Sequence, residues 1–286
     1  MSLIELVEAR TADPEPIQLA PERFAGKVIT VWGSAGSGKT TLAINLAFQL
    51  AANNHLVALV DLDTWRPSIA ASLGIVEPGA GLTAIGRLAR QDRLDLLEIQ
   101  RLGHEIKFQN HSVMFIPGLN QPGRFAEIGS QETAKILELL CAEFDFVVID
   151  INDDCDKGLI SLDSGALRNQ TQITAIDASD LILGVFNADQ VGLNRFLLDC
   201  SQVEFEFWPI ANRVRSSVLG RNPERQVKDA FHRAARAELR AVLVEDGAAV
   251  DQALQRAQPL LMAAKSSKLT EGIRLLTLDV MDQLAH

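Results

Sequence analysis

Tyrosine is absent from all 286 residues, which excludes an enzyme that works through a cluster of its own tyrosines. Cysteine is scarce. Cys141, Cys155 and Cys200 form no CxxC pair and no metal-ligand spacing, so three reduced thiols are expected. Basic residues are in deficit: the net charge of −10 argues against a surface that is basic all over, though not against a local basic patch. Long apolar runs are also missing. None approaches the ~20 residues that span a bilayer, and the longest, such as residues 181–186, have the length of buried strands. The opening MSLIELVEAR carries acidic residues and lacks a signal-peptide pattern, so a cytoplasmic location is expected.

What is present is ordinary in bulk, with 47% hydrophobic and 22% charged residues. The length suits one large α/β domain or two small ones. Residues 1–26 include TADPEPIQLAPE, rich in proline and acid, and read as an N-terminal arm or linker. From Lys27 the texture changes. KVITVW reads as a strand and TTLAINLAFQLA as a helix. HLVALVDLD, SVMFIPGL, DFVVID, DLILGVF, FWPIANR and LRAVLVED read as further strands. Helical patterns lie between most of them, and a closing helix is expected over 266–284. Residues 78–130 are less regular.

Alternating strands and helices imply an α/β fold in three layers: a doubly wound, mostly parallel sheet covered on both faces. In such sheets ligands bind beyond the C-terminal ends of the strands. Gly33, the Asp61/Asp63 pair, Asp150 and Asn212 all fall at expected strand ends.

The segment VWGSAGSGKTT, residues 31–41, satisfies GxxxxGK[ST] through Gly33, Gly38, Lys39 and Thr40. Its glycines let backbone N–H groups approach phosphate oxygens, and the helix that follows adds its N-terminal dipole. The expected nucleotide contacts run through Gly33, Ser34, Ala35, Gly36, Ser37, Gly38, Lys39, Thr40 and Thr41. The bland alternative is a Gly-rich turn, but the match lies between a strand and a helix, which is the context a phosphate loop requires. Lys39 supplies charge to the β- and γ-phosphates, and Thr40 is suited to Mg²⁺. Asp150, at the end of DFVVID, is the natural carboxylate for the ion's water shell. Asp63 is the choice for orienting the attacking water, with Asp61 nearer the metal. Their alternative role is a helix cap or turn.

With GSAGSGKTTLAINLAFQLA, LVALVDLD, FDFVVID and ANR in that order, the chain resembles the ParA/MinD family of P-loop ATPases from about Lys27 to its end. The resemblance implies that residues 27–286 form one such domain and that ATP/ADP and Mg²⁺ are its ligands. Asn212 and Arg213 match the family's strand-end Asn-Arg that contacts adenine. Asp246, in LVEDGAAVDQALQRAQPLL, matches the Asp of its late segment beside the base. ANRVR lacks the Asn-Lys-x-Asp type pattern that reads guanine, which favours ATP over GTP. The missing tyrosines set aside the tyrosine kinases of this fold.

Within the family the chain looks similar to the CpaE/TadZ branch, on VWGSAGSGKTT, DLDTWRPSIAASLGI, DINDDCDKGLISLDSGALRNQT and NRVRSSVLG. That implies a slow ATPase acting as a spatial organiser in pilus assembly or in septum and cell-pole positioning, with a homodimer and a protein of a pilus, secretion or division apparatus as partners. The alternatives are a weakly or non-hydrolysing nucleotide-binding scaffold and a ParA-type chromosome-partitioning ATPase that binds DNA non-specifically. One departure stands out: the family's signature lysine, which reaches into a partner's nucleotide site, is Ser34 here. Asp150-Ile151-Asn152 also replaces the usual D-x-P.

Two surfaces bear on larger partners. Residues 213–240 hold eight Lys/Arg against three Asp/Glu, compatible with DNA or an acidic partner, though a solvated helix face explains the count as well. The closing helix places Leu269, Ile273, Leu276, Val280 and Leu284 at helical spacing among mixed charges, which reads as core packing rather than membrane attachment.

Overall fold

The computed structural model describes residues 26–156, 158 and 167–285. The expected N-terminal arm lies outside the described residues except for Gly26, as does much of the segment between Asp150 and Thr171.

Eight strands form one sheet: β1 Lys27–Gly33, β2 Val57–Asp61, β3 His104–Phe108, β4 His111–Ile116, β5 Phe146–Asp150, β6 Leu181–Asn187, β7 Trp208–Val214 and β8 Ala241–Val244. Their order is β3-β4-β2-β5-β1-β6-β7-β8, and every pairing is parallel except β3 with β4. Period-two alternation explains how the sheet is covered on both faces. In β1, Ile29 and Val31 enter one core, while Val28 and Trp32 enter the other. The first core is closed by the helices Lys39–Ala52, Gly247–Arg256 and Lys268–Leu284. The second is closed by Gly81–Arg90, Ser130–Glu143, Gln170–Asp177, Gln190–Cys200 and Pro223–Ala235. The three-layer, mostly parallel architecture expected from the sequence is the one observed.

The structure holds elements beyond those expected from the sequence pattern. The irregular region contains the helices Gly81–Arg90 and Leu96–Leu102 and the antiparallel edge strand β3. A further helix, Gln170–Asp177, precedes β6. The closing helix packs as expected, with Leu269, Ile273, Leu276 and Val280 buried. Among the described residues, no helix is long and apolar enough to cross a membrane.

The basic segment is mostly exposed, but it is not one free cationic face. The helix Pro223–Ala235 buries Val227 and Phe231. Arg225 lies 3.6 Å from Asp229, and the Arg240 guanidinium packs 4.0 Å from the centroid of the Trp208 ring.

The closing helix offers a clean test of this packing. Ile273→Ala is expected to cost ~2–5 kcal/mol, whereas Leu275→Ala, at a side chain 51% exposed, is expected to stay within ~0.5 kcal/mol. Urea denaturation measures both, and equal losses would contradict the burial described.

Candidate functional site

Parallel pairing brings several strand ends to one edge. Asp61 at the end of β2 pairs in register with Asp150 at the end of β5, and Val31 of β1 pairs with Asp150 on its other side. Beyond β1 the chain turns into the loop 33–38 and then the helix Lys39–Ala52. Gly33 needs to be glycine: its φ is +140°, and a Cβ there would lie 2.0 Å from the Val185 carbonyl oxygen. Gly38, at φ +93°, would drive a Cβ to 2.5 Å from Asn212 Nδ2.

The helix that follows has no side-chain cap at its N-terminus, so its first turn presents N–H groups and a positive dipole end. Lys39 is buried and folds back, its Nζ donating to the Gly33 carbonyl at 2.8 Å and the Ser34 carbonyl at 3.3 Å. Thr40 Oγ1 donates to Asp150 Oδ2 at 2.6 Å and accepts from Ser68 Oγ at 3.3 Å. The other Asp150 oxygen is buried without a hydrogen-bond partner, as is Ser37 Oγ. Burial pushes the Asp150 carboxyl up to about 7, opposed by the Thr40 hydrogen bond and the Lys39 charge. Burial also holds the Asp61 carboxyl well above the usual carboxylate range, and the Asp150 charge adds to this. Two buried carboxylates side by side resist simultaneous ionisation unless positive charge joins them.

The carboxylates after β2 take up backbone bonds. Asp61 Oδ2 accepts from the Ser68 and Ile69 amides at 3.0 and 3.1 Å, capping the short helix Ile69–Ser72, and its Oδ1 accepts from the Asp63 amide at 3.2 Å. Asp63 Oδ1 accepts from the Trp65 and Arg66 amides, both at 2.8 Å. These are the cap and turn bonds that the sequence allowed as the alternative role. Asp63 stays half-buried and within electrostatic reach of both Asp61 and Asp150.

A family model described as the CobQ/CobB/MinD/ParA nucleotide binding domain matches residues 28–260. The chain belongs to this family. Solved structures agree on the fold. A ParA family ATPase from Chlorobium tepidum TLS superposes with a TM-score of 0.73 at 19% identity, over 89% of this chain and 99% of that one. The septum site-determining protein MinD complexed with Mg-ADP, from Pyrococcus horikoshii OT3, gives 0.66 at 21% identity, over 91% and 97%. A singly substituted McdA from Cyanothece, in complex with ATP, gives 0.62 at 19%, over 90% and 98%.

A magnesium nucleotide fits the residues present. The loop and the uncapped helix offer N–H groups, Thr40 a hydroxyl, and Asp150 an unpartnered buried oxygen. Among the described residues no group of three or more His, Cys, Asp or Glu could hold a metal ion. Mg²⁺ is usually held by one or two carboxylates together with waters and substrate phosphates, and Asp150 with Thr40 supplies donors of that kind. A cavity of about 960 Å³ lies beyond Trp32, but Asp153, Asp154, Asp156, Asp177, Asp199 and Glu204 line it, a setting that repels phosphate.

The remaining expected contacts divide. Asn212 Nδ2 donates to the Ser37 carbonyl at 2.7 Å, and its Oδ1 accepts from the Arg213 amide, so Asn212 braces the phosphate loop. Arg213 is exposed with φ +54°. Asp246 caps the helix Gly247–Arg256 through the Ala249 amide and accepts from Ser267 Oγ at 2.7 Å. Ser34 is buried and donates to Asp199 Oδ2 at 2.7 Å. Sequence reasoning missed Asn45, which accepts from the Leu260 amide at 2.6 Å and donates to the Thr41 carbonyl at 2.7 Å, joining the late segment to the phosphate-loop helix. Its polarity within an apolar helix was the available signal.

Asn212→Ala leaves the Ser37 carbonyl without its donor and should lower the stability of the nucleotide-free protein by ~1–3 kcal/mol. Urea denaturation checks this; an unchanged midpoint would mean the brace contributes nothing.

Proposed function

We propose that the chain is an ATP-binding molecular switch with slow turnover, CpaE/TadZ-like in role. It would organise a pilus, septum or cell-pole apparatus from the cytoplasm. The observation that carries this reading is the Thr40–Asp150 bond with Asp150's second oxygen buried and unpartnered beside Lys39. A hydroxyl and a carboxylate are joined where a phosphate-bound cation is needed. When bound, Mg²⁺ would be held by Thr40 and Asp150 and would supply charge to the phosphate oxygens.

The chain's own residues do the rest. Lys39 holds two carbonyls that phosphate oxygens can replace. Asp63 orients the attacking water from a loop whose backbone already fixes its Oδ1. Asp61 supports that loop and the metal side of the site through three amides. Asn212, Arg213 and Asp246 lie on the adenine side. The order of these loops would set affinity for a second copy and for a protein partner. DNA is the weaker partner, because part of the basic segment is spent on ion pairs and packing.

A second reading, a nucleotide-binding scaffold without meaningful turnover, is favoured by Ser34. Its hydroxyl is turned inward to Asp199, so this position offers no charge to a neighbouring copy.

Lys39→Ala should weaken binding of a non-hydrolysable ATP analogue by ~10- to 100-fold, the loss of a charged hydrogen-bond donor. Calorimetric affinity equal to wild type would remove the phosphate assignment. Asp63→Ala should keep that affinity and lower kcat by at least ~100-fold. Sustained turnover in Asp63→Ala would remove the water-orienting role, and wild-type turnover no higher than that of Lys39→Ala would favour the scaffold.

A further inference from the structure

Arg168 takes no part in the site as described, yet it is buried between two aromatic rings. Its guanidinium carbon lies 4.0 Å from the centroid of the Trp65 ring and 4.2 Å from that of Phe125. Nη1 donates to Thr64 Oγ1 and Nη2 to the Thr64 carbonyl, both at 2.8 Å. The planar fork is therefore matched by two acceptors of one residue, an arrangement that an ammonium group cannot reproduce. Other bonds run the same way. Trp65 Nε1 donates to Asn169 Oδ1 at 3.2 Å, and Gln172 Nε2 to Thr64 Oγ1 at 3.4 Å.

All these contacts converge on Thr64 and Trp65, the two residues that follow Asp63. The Trp65 amide is itself one of the two donors that fix the Asp63 carboxylate. A chain of direct contacts thus runs from Arg168 through Thr64 and Trp65 to Asp63. It joins the loop after β2 to the segment that precedes the helix Gln170–Asp177. Phe125, in the turn Pro122–Glu127, supplies the far wall of the sandwich. Burying a guanidinium is costly unless its donors are satisfied and its charge is offset. Here two acceptors, two ring faces and the nearby Asp63 and Asp154 charges offset part of that cost, although burial still holds the guanidinium below its ordinary value.

We infer that Arg168 is a positioning residue: clamped between Trp65 and Phe125, it locks Thr64 and Trp65 so that Asp63 is held at one place beside the phosphate loop. The inference rests on the reading of Asp63 as the water-orienting group. It does not place Arg168 on the nucleotide.

The test uses the full chain and two variants at opposite ends of the sandwich. Arg168→Met keeps an apolar stem between the rings and removes the fork. Trp65→Leu changes a side chain that is already 40% exposed, so it serves should Arg168→Met fail to fold. Both are expected to lower kcat by ~10- to 100-fold, the usual effect of small misplacement, with KM and affinity for the non-hydrolysable analogue unchanged. Arg168→Lys, which keeps the charge and an apolar stem but loses the planar fork, should fall between wild type and Arg168→Met. The Trp65 indole N–H resonance, assigned by its loss in Trp65→Leu, should move to the position of a solvent-exposed indole in Arg168→Met. A wild-type kcat in either variant overturns the inference, and so does an unmoved Trp65 resonance in Arg168→Met. A wild-type chain without turnover counts against the ATPase reading alone; the lock is then decided by the Trp65 resonance.

Discussion

The hydrogen bond from Thr40 to Asp150 joins the two halves of the site. One partner begins the phosphate-loop helix after β1, and the other ends the neighbouring parallel strand β5. The bond can form only because parallel pairing ends both strands at the same edge, and because Gly33 lets the loop turn against the Val185 carbonyl where a side chain would collide. Its cost is a buried carboxylate with one oxygen unpartnered. Such a group is stable when it is protonated, or when positive charge comes to it. The folded-back Lys39 ammonium is nearby positive charge, and a bound divalent cation would supply more.

The loops around this centre are held from outside. Asn212 braces the phosphate loop from β7, Asp61 ties the end of β2 to the helix Ile69–Ser72, and Asn45 links the phosphate-loop helix to the late segment. Ser34 anchors the loop's outer side to the helix Gln190–Cys200 through Asp199. In this family member the position that corresponds to the signature lysine is therefore an internal tie. Arg168 ties the loop after β2 to the residues just before the helix Gln170–Asp177.

The frame and the phosphate loop were legible because both are written locally. Apolar residues alternate along β1, β2 and β5, and the Gly-rich turn stands between a strand and a helix. Asp150 was legible for the same reason, as the polar end of a buried run. The edge strand β3 was not: HEIKF alternates polar and apolar over a short span and buries only Phe108 fully. Arg168 could not be read either, since its partner Thr64 lies 104 residues away and neither residue forms a motif alone. Asn45 and the Leu260 amide are 215 residues apart. The bonds that occupy Asp61 and Asp63 run to backbone amides, which every sequence contains and no pattern marks.

The central claim is that Asp150 and Thr40 form a cation-dependent nucleotide site. Its most direct test is the calorimetric affinity for a non-hydrolysable ATP analogue, with and without Mg²⁺, in the wild-type chain and in Asp150→Asn. If the ion acts through Asp150, the two losses overlap: removing Mg²⁺ weakens binding to the wild type strongly and to Asp150→Asn little, because the changes share one interaction. Fully additive losses, or wild-type Mg²⁺ dependence in Asp150→Asn, would contradict it.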